Sequence, residues 1–233
     1  MTSSEQNSCP CCLGEGGWLD PIAEQSVICY LCHPEAYKEQ AFKLKQDTGG
    51  KSATWVRGYP KMPCKHPGPL FVTKPWLFVV HSGSTSGDVA HYMATIGGRP
   101  RKDGSFMKVS AHFNWSNELG GITQGVPLTH VSWHVGGSRI EYERLKRVWP
   151  EAPDKRLRKL NFCSYSIEMR GPAGRKYTIG EHNRVKDLVT SLRRINPQLR
   201  VATRHMDILA TKKDPGRQFD MDIFKEIGMV VYG

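Results

Sequence analysis

Between Arg204 and Gly216 the chain reads Arg-His-Met-Asp-Ile-Leu-Ala-Thr-Lys-Lys-Asp-Pro-Gly, which sets His205 and Asp214 nine residues apart. His205 closes an alternating run (Val201, Thr203, His205) that predicts the end of a strand, and the Asp-Pro-Gly that follows predicts a turn. An imidazole and a carboxylate brought together by such a turn can share one metal ion. Lys212, two residues before Asp214, would set a fixed positive charge facing whatever that ion polarises. His81 offers a third ligand, because it ends the apolar run Pro75–Val80 at the edge where buried strands deliver functional residues. Two histidines and a carboxylate leave a fourth position for water, the layout of a catalytic rather than a structural zinc. Such an ion brings the pKa of its water down to about 7 and polarises a carbonyl. An acid and a cation beside it could then serve as base and oxyanion stabiliser. Glu168 lies in the apolar context Ser164–Met169, where a carboxylate is either paired with a cation or kept for chemistry.

A second constellation lies near the start. Cys9-Pro-Cys-Cys12 and Cys29-Tyr-Leu-Cys32 are two Cys-x-x-Cys knuckles at zinc-ribbon spacing, with Cys11 and His33 as alternates within each. A segment this short could not fold on apolar burial alone, and four thiolates around a structural zinc would supply what is missing. Cys64 and His66 form a weaker Cys-x-His pair, better read as part of a linker.

These residues require elements to carry them. Residues 34–50 predict a short helix, which with the cysteine knuckles makes an N-terminal module of residues 1–50. Residues 51–69, rich in Pro, Gly and Lys, predict a linker, and 70–233 a main domain. Within the main domain, strands are predicted over Pro75–His81, Phe106–Phe113, Ile122–Leu128, Ser164–Met169 and Arg200–Ile208. Helices are predicted over Asp88–Ile96, within 138–160, over Glu181–Ile195 and over Phe219–Val231. Strands alternating with helices imply an α/β fold, a mixed central sheet flanked by helices, with the small zinc ribbon added. The Ser-Gly loop after His81 lacks the Gly-Lys-Ser/Thr ending of a phosphate cradle.

Several of these motifs, taken in order, resemble one family. His81-Ser82-Gly83-Ser84, Ser110-Ala111-His112-Phe113, Trp133-His134-Val135-Gly136, Asn161 with Ser164-Tyr165-Ser166-Ile167-Glu168, and His205-Met206-Asp207-Ile208 with Lys212-Lys213-Asp214-Pro215-Gly216 are similar to the zinc-dependent type-2 N-acetylmuramoyl-L-alanine amidases. That family includes phage endolysins, bacterial wall-recycling amidases and animal peptidoglycan-recognition proteins. The resemblance covers about residues 70–220 and implies a catalytic zinc on His81, His205 and Asp214. It implies Glu168 and Lys212 as the catalytic pair, their division of labour left open. Trp133 and His134 match the substrate groove, and His112 matches a position that is either a substrate contact or buried and structural. The chain departs from the family in Ser-Tyr-Ser-Ile-Glu, where Ser-Ile-Gly-Ile-Glu is usual, a change expected to add bulk near the base. It also departs in the long stretch 138–160 and in the cysteine module.

Charge narrows the partners. The net charge is +11, yet residues 1–37 hold five acids and no Lys or Arg. The remaining chain therefore carries 33 basic against 17 acidic groups, or +16. Such a body implies a polyanion, and with the resemblance that means peptidoglycan and anionic envelope polymers. Scattered basic groups and an acidic head argue against nucleic acid. No apolar run reaches the length of a membrane span. The first residues lack the basic and apolar regions of a secretory signal. The expectation is therefore a phage endolysin made in the cytoplasm and reaching the wall after lysis or holin-type release. The alternatives are a peptidoglycan-binding protein without hydrolysis, or an amidase whose ribbon docks a cytosolic protein.

Overall fold

The computed structural model describes residues 17–20, 25–28 and, with breaks at 70, 72–73, 84–86, 103, 137 and 153–159, residues 55–233. The chain divides into two units, Met1–Ala53 and Thr54–Gly233. In the first, β1 (Gly17–Asp20) and β2 (Gln25–Ile28) pair antiparallel, with Gly17 opposite Ile28. The four cysteines expected to bind a structural zinc, and the helix expected over 34–50, lie outside the described residues.

The second unit is built on a six-stranded sheet in the order β10-β9-β3-β8-β6-β7. Its strands are β3 (Leu77–Ser82), β6 (Phe113–Ser116), β7 (Gly121–Gln124), β8 (Ser164–Met169), β9 (Val201–Arg204) and β10 (Val230–Tyr232). All neighbours are parallel except the β6–β7 pair at one edge. β3 is near the centre, and its Leu-Phe-Val-Val-His-Ser run is buried throughout, as a parallel strand covered on both faces must be. Its alternate residues divide two cores. Phe78 and Val80 join Tyr165, Ile167 and Ala202 beneath a long helix, whereas Leu77 and Val79 join Val201, Leu145 and Ile208 on the other face.

The helices in chain order are α1 (Val89–Thr95), α2 (Tyr142–Val148), α3 (Ile179–Ile195), the single turn α4 (His205–Ile208) and α5 (Asp222–Lys225). α3 is the long one. Thr178 and Glu181 form a reciprocal capping box at its start, and Val185, Leu188, Val189 and Leu192 form its buried stripe.

Four expectations need correction. The strand expected over Phe106–Phe113 is two: β5 (Phe106–Lys108) pairs with β4 (Gly98–Pro100) as a separate ribbon, and β6 starts only at Phe113. Exposure explains the break, since Phe106 and Lys108 face solvent whereas every residue of β6 is buried. The strand expected to run through Ile208 ends at Arg204, and His205 opens a helical turn. The tail expected to be one helix holds a helix and then β10, whose β-branched Val230 and Val231 pair with Val201 and Ala202 at the sheet edge. Finally, the linker reading of 51–69 does not describe 55–69. Val56, Met62 and Cys64 are buried, and the Met62 and Cys64 amides donate to the Gln124 and Gly125 carbonyls beside β7.

Candidate metal centre

Residues paired across parallel strands share a face. His81 on β3 pairs with Glu168 on β8, so both project from the C-terminal ends of adjacent strands on the face opposite α3. β9 lies on the other side of β3, and the turn α4 begins at its end with His205. The loop after α4 returns Asp214, whose carbonyl accepts the Met206 amide. The Asp-Pro-Gly turn thus brings the carboxylate back to the histidine, as its spacing predicts.

Three ligand atoms converge. His81 Nδ1 is 3.0 Å from His205 Nδ1, His205 Nδ1 is 3.1 Å from Asp214 Oδ2, and His81 Nδ1 is 3.4 Å from that same oxygen. Ligands bound tetrahedrally at zinc's usual distances of about 2.0–2.1 Å would be about 3.3 Å apart, so the triangle has nearly the size that zinc requires. Protonation also fits a cation. Burial, then the charge of His205, push His81 down to about 4. Burial opposes the Asp214 charge, but the neighbouring rings of His205 and His81 outweigh it and hold that carboxyl well below its ordinary range. A neutral imidazole and an ionised carboxylate are the forms that bind metal. Among the described residues, buried His205 Nε2 has no partner, leaving Nδ1 as the ring's engaged atom.

Beside this triangle, burial and then the Asp214 charge push the Glu168 carboxyl up to about 8, with Lys212 pulling the other way. Lys212 is exposed, and its charge is felt by both His81 and Glu168. A carboxyl in that range can accept and return a proton near neutrality. The bulk expected beside it from Tyr165 is absent, because alternation turns Tyr165 to the α3 face, where its hydroxyl donates to the Leu128 carbonyl. Ser166 does share the Glu168 face, but its hydroxyl is occupied with the His112 amide and Ser132.

The residues expected in a substrate groove separate. Trp133 is half-buried, its ring against Phe162. His112 is wholly buried, with Nε2 donating to the His130 carbonyl at 2.8 Å and Nδ1 at 2.8 Å from the Ser132 hydroxyl. Its place is structural rather than in substrate contact. His134 is also buried, and both its ring nitrogens are taken by protein atoms. Cys64 and His66 do not form a pair: the Cys64 thiol is directed to the Ala111 carbonyl and Asn114. Two residues without an expected role hold the site from behind. Asn161 Oδ1 accepts the His134 and Val135 amides, and the Tyr177 hydroxyl donates to the Pro215 carbonyl. Asn161 and Ser164 lie within the family-like motif, but spacing alone did not say what they bind.

Fold and site together define a mixed α/β domain with a candidate metal cluster at its strand ends. The family described as Amidase_2, N-acetylmuramoyl-L-alanine amidase, matches residues 72–217, and the chain belongs to it. Among solved structures, a selenomethionine derivative of AmpD is 24% identical over 77% of this chain and 99% of its own, with a TM-score of 0.57. The endolysin amidase LysCS from Clostridium intestinale is 16% identical over 71% of this chain and 90% of its own, with a TM-score of 0.47. AmiD from E. coli, solved with an anhydro-muramyl peptide, is 22% identical over 68% of this chain and 60% of its own, with a TM-score of 0.43. No curated protein matches. Among the described residues no helix is long and apolar enough to cross a membrane.

Proposed function

We propose that the chain hydrolyses the amide between N-acetylmuramic acid and L-alanine in peptidoglycan, with zinc held by His81, His205 and Asp214. The observation that carries this reading is the triangle of ligand atoms, with Glu168 in register with His81 on the same sheet face. Zinc, when bound, would acidify a water and polarise the lactyl carbonyl. Glu168 takes the proton the water gives up as its oxygen bonds to the carbonyl carbon. The same carboxyl then returns that proton to the alanine nitrogen as the C–N bond breaks, leaving a lactyl carboxylic acid and a free amine. Lys212 stabilises the charge gathering on the carbonyl oxygen, and Trp133 lines the path of the substrate. A structural zinc on Cys9, Cys12, Cys29 and Cys32 belongs to the same proposal and is supported by their spacing. A lytic, endolysin-like role on the bacterial wall following synthesis in the cytoplasm belongs to the same proposal, and the basic charge after residue 37 supports its attraction to an anionic wall.

Purified full-length protein incubated with sacculi should release peptide stems with free L-alanine amino ends. Chelation should stop the release and added zinc restore it, while His205→Ala and Asp214→Ala remain inactive. Sedimentation with sacculi without new amino ends would replace hydrolysis by peptidoglycan binding alone.

A further inference from the structure

His81 reaches the ligand triangle through Nδ1, so its other nitrogen must carry the ring's hydrogen if Nδ1 is to offer a lone pair. The hydrogen-bond chain behind His81 dictates that choice. It begins at the Leu160 carbonyl, which can only accept. The Ser164 hydroxyl lies 2.5 Å from that oxygen, so its hydrogen is committed there. What Ser164 Oγ then presents to His134 Nε2, at 3.0 Å, is a lone pair, and Nε2 must be the donor. His134 is enclosed and has no carboxylate among its hydrogen-bond partners, so burial leaves the ring neutral, with a single N–H. Its Nδ1 is therefore bare. His81 Nε2, 3.0 Å away, must donate to it. Nothing is then left on His81 Nδ1 except the lone pair that faces His205 and Asp214.

We propose that His134 is a positioning residue: anchored by Ser164 and the Leu160 carbonyl, it fixes the His81 tautomer whose Nδ1 is free to bind the metal. The inference rests on the metal reading of His81, His205 and Asp214. Two further features support it. Asn161 Oδ1 accepts the backbone amides of His134 and Val135 at 3.1 and 2.9 Å, so the loop that carries the ring is clamped. Ser164 also shares a sheet face with Ser166 and Glu168, so one strand supplies both the proton acceptor and the anchor for the ligand's orientation. His134 thus acts through His81 and has no need to touch substrate.

The test compares zinc affinity of the full-length protein and its variants by competition with a chromophoric chelator. His205→Ala marks whatever zinc binds elsewhere in the chain. In His134→Asn the amide oxygen takes the place of Nδ1 and still accepts from His81. His134→Gln reaches toward Ser164 but offers His81 no acceptor. The Gln variant should lose about 10- to 100-fold in affinity at the His81 site, while the Asn variant stays within about threefold of wild type. Nitrogen-15 spectra of the metal-free wild type should show His81 protonated at Nε2. Equal affinities in all three proteins, or equal losses in Asn and Gln that follow their unfolding temperatures, would overturn the role of His134. A His81 protonated at Nδ1 in the wild type would do the same. A wild type that binds no more zinc than His205→Ala would bring down the metal reading, and this inference with it.

Discussion

Glu168 and Lys212 are separable from the metal ligands by experiment, because neither contributes an atom to the triangle of His81, His205 and Asp214. Glu168→Gln keeps the volume and removes the proton acceptor. Turnover should fall by about 10²- to 10⁴-fold while zinc affinity holds or rises. Lys212→Met removes a charge on an exposed stem, and the expected loss is about 10²-fold in kcat, with KM changed far less. Steady-state kinetics on a soluble muramyl peptide, with metal content measured on the same samples, checks both. Equal losses of zinc and of activity would instead make the pair structural. At this scale much of the site was legible. His81 and Glu168 stand out because a polar group at the end of a buried strand has few structural excuses, and His205 and Asp214 because a turn joins them. His134, expected in the substrate groove, is buried with both ring nitrogens taken by protein atoms. It sits in irregular backbone, where no period of two or 3.6 residues says which way a side chain points, so only coordinates could turn it inward beneath His81.

The elements that hold these residues depend on contacts far from the chemistry. The turn bearing Asp214 is braced by the segment after β8: the Gly174 amide donates to the Pro215 carbonyl, and Tyr177 donates to the same oxygen. Gly216, at φ +89°, lies so close that an added Cβ would sit 2.4 Å from Gly174 N, which admits only glycine. That bracing segment is in turn tied to α3 through Glu181, which accepts hydrogen bonds from Arg170, Arg175 and the Thr178 amide. Burial works against the Glu181 charge, but these donors outweigh it and hold the carboxyl down at about 2. Unfolded, the group would titrate near its ordinary 4.5. Between those values the unfolded chain binds more protons, so the contribution is complete above about pH 4.5 and is lost as pH falls through about 2. With the arginines partly in water, it should be worth about 2 kcal/mol. Urea unfolding of Glu181→Gln beside wild type should show that gap at pH 6 and its closure toward pH 2.5; a gap independent of pH would assign the loss to packing. The capping box itself was hidden in plain sequence, Thr178 and Glu181 standing three apart before an apolar stripe. The breaks at Lys108 and Arg204 were less visible, because alternation continues through Phe113 and His205 even where the backbone leaves the sheet.

Across the whole molecule, the excess of +16 after residue 37 concerns association more than chemistry. Turnover of sacculi should drop several-fold between about 50 and 300 mM salt, a range over which screening shortens the reach of surface charge, whereas a small soluble muramyl peptide should be cut at a nearly constant rate. Similar salt responses for the two substrates would leave the charge without a role at the wall. The extent of the folded body yields a stricter test. Composition marks 51–69 as a linker, since Pro, Gly and Lys are abundant there, yet composition does not register backbone pairing. Met62 and Cys64 donate to the carbonyls at the end of β7, Gly68 donates to the Val131 carbonyl, and Phe71 stacks on His112. Val131 in turn leads directly into Ser132 and His134, so this strap supports the loop that stands under His81. A chain of residues 54–233 should therefore keep zinc binding at His81, His205 and Asp214 and cut a soluble muramyl peptide. A chain of residues 70–233 loses the buried Val56, Met62 and Cys64 and should unfold at least about 3 kcal/mol more easily. Denaturant midpoints and zinc content of the two proteins decide the matter, and equal midpoints would return residues 55–69 to the status of a linker.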